Sequence, residues 1–139
     1  MKKKFYHPPI WLAAAIAFAF AYDGYEIITS SIGKPVNSYL EILVAVTHNA
    51  TVVAVLVLLI LYMRNCNREG FIDLRGARIL QSMGIGMLIA AIGSFVSSRF
   101  YDGSSLTFAL EVLFTILLFQ FHKLTKEAIQ LRKENDLTI

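Results

Sequence analysis

The chain has 139 residues, 56% of them hydrophobic and only 17% charged. A soluble domain carries about 25% charged residues and alternates polar with apolar faces, whereas here the apolar residues come in four blocks, each near the roughly 20 residues a helix needs to cross a bilayer. The net charge of +3 does not indicate nucleic-acid binding, because the basic residues flank apolar blocks and form no stripe on a folded surface.

The chain opens with MKKKFYHPP, a basic stretch ending in two prolines that suit a first helical turn. The first span is expected from Pro9 to about Thr29, with Trp11 at one interface and Tyr22 and Tyr25 near the other. A cleaved signal peptide competes with this reading, since three lysines, an apolar run and Ala19-Phe20-Ala21 resemble its regions. SSIGKPVNSY then makes a polar turn, and the second span runs from about Leu40 to Met63.

Arg64 to Arg78, RNCNREGFIDLRGAR, is read as a loop carrying four arginines. Cys66, the only cysteine, lies within it, so there is no internal disulfide and no cysteine cluster for a metal. The third span is expected over Ile79 to Val96 and the fourth over Leu106 to Phe121, joined by the turn SSRFYDGSS. His122 to Ile139 continues as a helical tail in which Leu124, Ala128 and Leu131 form a narrow apolar face.

Charge sets the orientation. Eleven of the thirteen Lys and Arg residues fall in the amino end, the middle loop or the tail, leaving only Lys34 and Arg99 in the other two turns. Short loops rich in Lys and Arg stay on the cytoplasmic side, so both ends are expected there. The fold class is therefore all-α, a single integral membrane domain of four helices with a cytoplasmic helical tail.

Polar groups at membrane depth are candidates for function because an unpaired one is costly. Asp23 and Glu26 on the first span, His48 and Asn49 on the second and Glu111 on the fourth are all expected in the outer half of the bilayer. They would face one another as a proton-coupled or cation site, or simply satisfy one another and pin the bundle. In the third span Gly86, Ala90 and Ser94 stand four apart, a spacing at which small residues let helices approach closely. No nucleophile elbow, H-E-x-x-H motif or phosphate-binding glycine loop is present. Neither an enzymatic activity nor a cofactor is expected.

The ending ENDLTI, after the Leu-rich basic helix HKLTKEAIQLRK, resembles the carboxyl end of a bacterial membrane family, domain of unknown function 2975. The segment REGFIDLRGARILQSMG is similar to that family's loop into the third span, with Phe71, Arg78 and Leu80 followed by Gly84. It departs from the family where Gly76-Ala77 replace the usual asparagine before the basic stretch. The resemblance covers about the last seventy-five residues. It implies about four spans, no assigned enzymatic activity and frequent encoding beside a small helix-turn-helix regulator. Carried over to this chain, it directs attention to Glu134, Asn135, Asp136, Leu137 and Thr138.

Three functions follow as expectations. The first is a non-enzymatic membrane partner of a cytoplasmic protein such as that regulator, bound through Arg68, Arg75, Arg78, Leu131 and the ENDLTI end. Its setting would be the bacterial cytoplasmic membrane. The second is a small transporter or channel, working as a homo-oligomer, with the outer-half carboxylates along its path. The third is an immunity or stress-response protein acting within the bilayer. Alternatively, ENDLTI folds back on the arginine loop, pairing Glu134 or Asp136 with Arg68 or Arg75.

Overall fold

A computed structural model describes residues 10–30, 32–33, 39–100 and 105–138, all but a few of them helical. The helices are α1 (Ile10–Ser30), α2 (Tyr39–Glu69), α3 (Leu74–Phe100) and α4 (Ser105–Thr138). Each is long and apolar enough to cross a membrane. At 1.5 Å per residue they measure about 32, 47, 41 and 51 Å, against a hydrocarbon core of about 30 Å. Helices α2, α3 and α4 therefore overrun any bilayer that contains their apolar parts, and most of their charged residues, Glu111 excepted, lie toward the helix ends.

The interior is made mainly of small side chains, joined by Val55, Leu80 and Met83, and the exterior carries many large apolar ones. Ala13, Ala17, Ala77, Ala90 and Ala91 are buried, while Trp11, Phe18, Leu43, Ile89, Leu113 and Phe114 are exposed. A soluble protein would collapse such residues into its core. Within lipid the tails are as apolar as leucine, so close helix approach matters more than hiding large side chains. The distribution is that of a multi-pass membrane protein.

Helices pack on their sequence neighbours, α1 on α2, α2 on α3 and α3 on α4, with no backbone contact between other pairs among the described residues. The α2–α3 pair is antiparallel. Tyr62 lies against Gly76, Val55 against Gly86 and His48 against Gly93. Gly86 marks the closest approach, since a Cβ there would sit 2.6 Å from Val55 Cγ2. The aromatic ring of Phe119 lies close on Gly84, 3.2 Å from where a Cβ would be, so α3 meets both neighbours through glycines. Of the four spans α3 has the largest buried share.

The polar stretch 64–78 is not the loop expected from its composition. Helix α2 continues to Glu69 and α3 begins at Leu74, leaving only four residues, 70–73, outside the helices. Gly70 ends α2 with φ of 87° and its N–H donates to the Cys66 carbonyl at 3.0 Å. This left-handed C-cap suits glycine, which has no Cβ to clash. Asp73 starts α3 as an N-cap, its Oδ2 accepting from the N–H groups of Arg75 at 3.0 Å and Gly76 at 3.1 Å. Asn65 Nδ2 donates to the same oxygen at 3.1 Å, tying the end of α2 to the start of α3. That bond, ahead of those from the backbone N–H groups of the first turn, holds the Asp73 carboxyl below its ordinary range.

Helix α4 runs unbroken through Thr138. The expected fold-back of ENDLTI onto the arginines is not seen among the described residues, because the chain stays helical through Thr138 and neither Glu134 nor Asp136 pairs with Arg68 or Arg75; Glu134 instead accepts from Gln130 Nε2 at 3.1 Å. Lys, Glu, Gln, Ala, Leu and Arg dominate this segment, and all are good helix formers. Near its root the tail is tied down once. His122 Nδ1–H donates to the Ala77 carbonyl of α3 at 2.7 Å.

Candidate functional site

Four helices bring polar side chains to one level. Asp23 lies seven residues before the end of α1, Ser94 six before the end of α3, His48 nine after the start of α2 and Glu111 six after the start of α4. At 1.5 Å per residue all four sit about 9–14 Å from the same end of the protein. That agreement of register, set by helix lengths alone, is what lets the groups meet.

Two linked pairs result. Asn49 Nδ2 donates to Asp23 Oδ2 at 2.8 Å, joining α2 to α1. His48 Nε2 meets Glu111 Oε1 at 2.5 Å and Ser94 Oγ at 3.1 Å, so one ring nitrogen touches both α4 and α3. Since α2 and α4 share no backbone contact among the described residues, the His48–Glu111 contact is a side-chain bridge across α3. Gly93 faces His48 at this crossing, the place of its absent Cβ lying 3.6 Å from the His48 Cβ, an ordinary packing distance.

Glu111 is only 6% exposed, and its Oε2 has no hydrogen-bond partner among the described residues. One turn on, the Thr115 hydroxyl donates to the Glu111 carbonyl at 2.8 Å, returning its own polarity to the helix backbone. Thr51, Ser82 and Thr125 do the same in their helices. Hydroxyls in the spans are thus largely neutralised locally, and the Asp23–Asn49 and His48–Glu111 pairs stand apart as interhelical polar contacts.

A cavity of about 250 Å³ opens beside these pairs, lined by Asp23, His48, Asn49, Ser94, Ser97 and Thr107 with Ile27, Val44, Ala45 and Gly93. The expected residues Asp23, His48 and Asn49 line it directly, and Glu111 stands behind His48. Glu26 is not drawn in. It shares a separate cavity with Asp23, Ile27 and Thr29. Ser94, expected only to pack, belongs to both roles, because it is buried against α2 and bonded to His48. Gly86 and Ala90 lie on the same helix at the packed contacts, Ala90 with no exposure at all.

Ser97 and Thr107 were missed by sequence reasoning. Each is a hydroxyl near a span end, and nothing in its local pattern separates it from an interface residue. His122 and Asp73 were missed as well, although an aspartate just before an apolar helical run is a recognisable N-cap signal.

At the opposite end Arg68, Arg75 and Arg78 are exposed. Arg64, Arg68 and Arg75 line a shallow recess between α2 and α3 with Leu61, Asn65 and Ile79. Leu131, Glu134, Asn135, Asp136, Leu137 and Thr138 are exposed on α4, Leu137 at 86%. Leu124 and Ala128, from the expected apolar face, line a groove with Phe71 and Ile72 of the α2–α3 connection. Among the described residues no group of three or more His, Cys, Asp or Glu side chains is placed to hold a metal ion.

Comparison with protein families, with curated proteins and with solved structures finds no match.

Proposed function

We propose that this chain is a non-enzymatic membrane partner of a cytoplasmic protein, lying in a bacterial cytoplasmic membrane with both ends inside. Membership of the domain of unknown function 2975 family belongs to the same proposal, supported by the resemblance at Phe71, Arg78, Leu80, Gly84 and Glu134 to Thr138. A helix-turn-helix regulator is the partner that the resemblance suggests.

The observation that carries the reading is the last part of α4. Residues 131–138 are helical and all exposed. As the continuation of a 34-residue helix this segment needs no nucleation of its own, so it presents its exposed side chains on an ordered surface to which a partner could dock. Its side chains mix Leu131 and Leu137 with Arg132, Lys133, Glu134 and Asp136, which suits a protein groove better than a wholly anionic lipid surface. The exposed arginines of α2 and α3 would add electrostatic steering.

The test is affinity capture and crosslinking from native membranes, comparing the full chain with one ending at Lys133. A soluble protein recovered only with the full chain supports the reading. Recovery of the same proteins with both chains would refute it.

A second reading, a small transporter or channel, has one specific observation in its favour. The polar side chains of all four spans converge at one depth beside a cavity. It predicts solute or proton flux in vesicles that is lost with Glu111→Gln and kept when the tail is removed.

A further inference from the structure

The cavity at the end where α1 finishes and α2 begins is unbalanced in charge. Among the described residues its lining holds one carboxylate, Asp23, and no Lys or Arg. The hydrogen bond that Asp23 receives there comes from the neutral amide of Asn49. Among the described residues Glu26 and Glu111 stand next to the cavity as further carboxyl groups. Arg99, the nearby cation among the described residues, is turned to the Phe95 ring, 5.7 Å from its centroid. Carboxylates at membrane depth are expensive unless paired, and an amide donor offsets only part of that cost.

The rest of the lining tells what would complete the pairing. Asn49 donates its Nδ2 to Asp23, which leaves its carbonyl oxygen as an acceptor. Ser94, Ser97 and Thr107 add three hydroxyls, and His48 supplies the one ring nitrogen already engaged by Glu111 and Ser94. A set of oxygens suits a hard cation or an ammonium group and not a soft transition metal. With a single carboxylate on the wall, the formal charge is too low for a divalent ion and matches a monovalent one. A volume of about 250 Å³ admits a partly hydrated ion or a small amine.

We propose that this four-helix cavity binds a small monovalent cation, an alkali-metal ion or a primary ammonium group, with the Asp23 carboxylate as its counter-charge. The hydroxyls of Ser94, Ser97 and Thr107 serve as neutral oxygen donors. The site is independent of the cytoplasmic tail, so the capture experiment above neither supports nor harms it.

The test is thermal unfolding of the full chain in detergent micelles, followed by far-UV circular dichroism at constant ionic strength. Chloride salts of sodium, potassium and methylammonium are compared with that of N-methylglucamine, a secondary ammonium much bulkier than the other three cations. The proposal expects a saturable rise in Tm with at least one small cation over N-methylglucamine. An alkali response identifies a metal-ion site and a methylammonium response an amine site.

Asp23→Asn, nearly isosteric and still able to accept from Asn49, should raise the half-saturating concentration about tenfold or more, a tenfold change being about 1.4 kcal/mol. Glu127→Gln, an exposed carboxylate toward the other end of α4, should leave it unchanged. Thr107→Val removes an oxygen donor at an exposed position and should weaken the response even if Asp23→Asn fails to fold. Equal Tm in all four salts would overturn the proposal, as would an undiminished response in Asp23→Asn or in Thr107→Val.

Discussion

Replacing Gly86 with alanine probes the approach of α2 and α3 at its tightest point. The new Cβ would lie 2.6 Å from Val55 Cγ2, where carbon atoms normally rest about 3.5–4.0 Å apart. Val55 is buried, and a valine in a helix holds one strongly preferred rotamer. It cannot swing aside, so the backbones must part. Overpacking of this kind costs about 1–3 kcal/mol, while alanine regains about 1 kcal/mol of helix propensity over glycine. The net loss for Gly86→Ala should be about 0–2 kcal/mol.

Val55→Ala alone removes methyl contacts and should cost about 1 kcal/mol, less than in a soluble core because lipid is equally apolar. In the double variant the methyl added at position 86 occupies space that the valine has vacated. The two changes should therefore couple by about 1–3 kcal/mol in favour of the double variant. Reversible unfolding with SDS in mixed micelles, followed by circular dichroism, measures all corners of the cycle. Additivity within about 0.5 kcal/mol would show that α2 and α3 do not meet at this glycine.

Other outcomes follow from the caps, the buried pair and the tail. Asp73→Ala should lose about 0.5–2 kcal/mol, the usual range for an N-cap. Because the Asp73 carboxyl is held below its ordinary value, chiefly by Asn65, the cap is fully present above the unfolded aspartate value of about 3.9. It is lost as pH falls through the lower folded value, and an acid titration of unfolding should show that step vanish in the variant. Gly70→Ala, at φ of 87°, should cost about 1–2 kcal/mol by the left-handed penalty on a Cβ, read in the same unfolding assay. Glu111→Ala should destabilise by about 1–2 kcal/mol, the upper range for interhelical hydrogen bonds in a membrane. Glu111→Gln keeps an oxygen for His48 and should lose less. Ending the chain at Lys133 should leave unfolding within about 0.5 kcal/mol of the full chain, since residues 134–138 are exposed.

The four spans were legible in the sequence because hydropathy blocks report what must sit in lipid. The helix ends were not, for the same reason. A helix that has left the hydrocarbon keeps its hydrogen bonds through Arg64, Asn65 and Arg68, yet its composition then reads as loop. Only Gly70 and Asp73, a C-cap and an N-cap three residues apart, carried the true boundary. Within the site, Asp23, His48, Asn49 and Glu111 announced themselves by being polar inside apolar runs. That Asp23 pairs with Asn49, that His48 pairs with Glu111 across α3, and that Glu26 stays outside depend on helix rotation. Rotation is fixed by glycine and alanine contacts such as Gly86 on Val55, which no single-sequence pattern encodes.

The most direct measurement on the whole account is the sidedness of the two ends of the protein. In a Cys66→Ser background, Ile32→Cys and Thr138→Cys place a thiol at an exposed position near the α1–α2 turn and at the end of α4. Intact cells are treated with a membrane-impermeant maleimide before and after permeabilisation. The thiol at position 32 should react in intact cells, and the thiol at position 138 only once the membrane is opened. Reaction of both from the same side, or the reverse order, would contradict a four-span protein that presents its arginines and its tail to the cytoplasm.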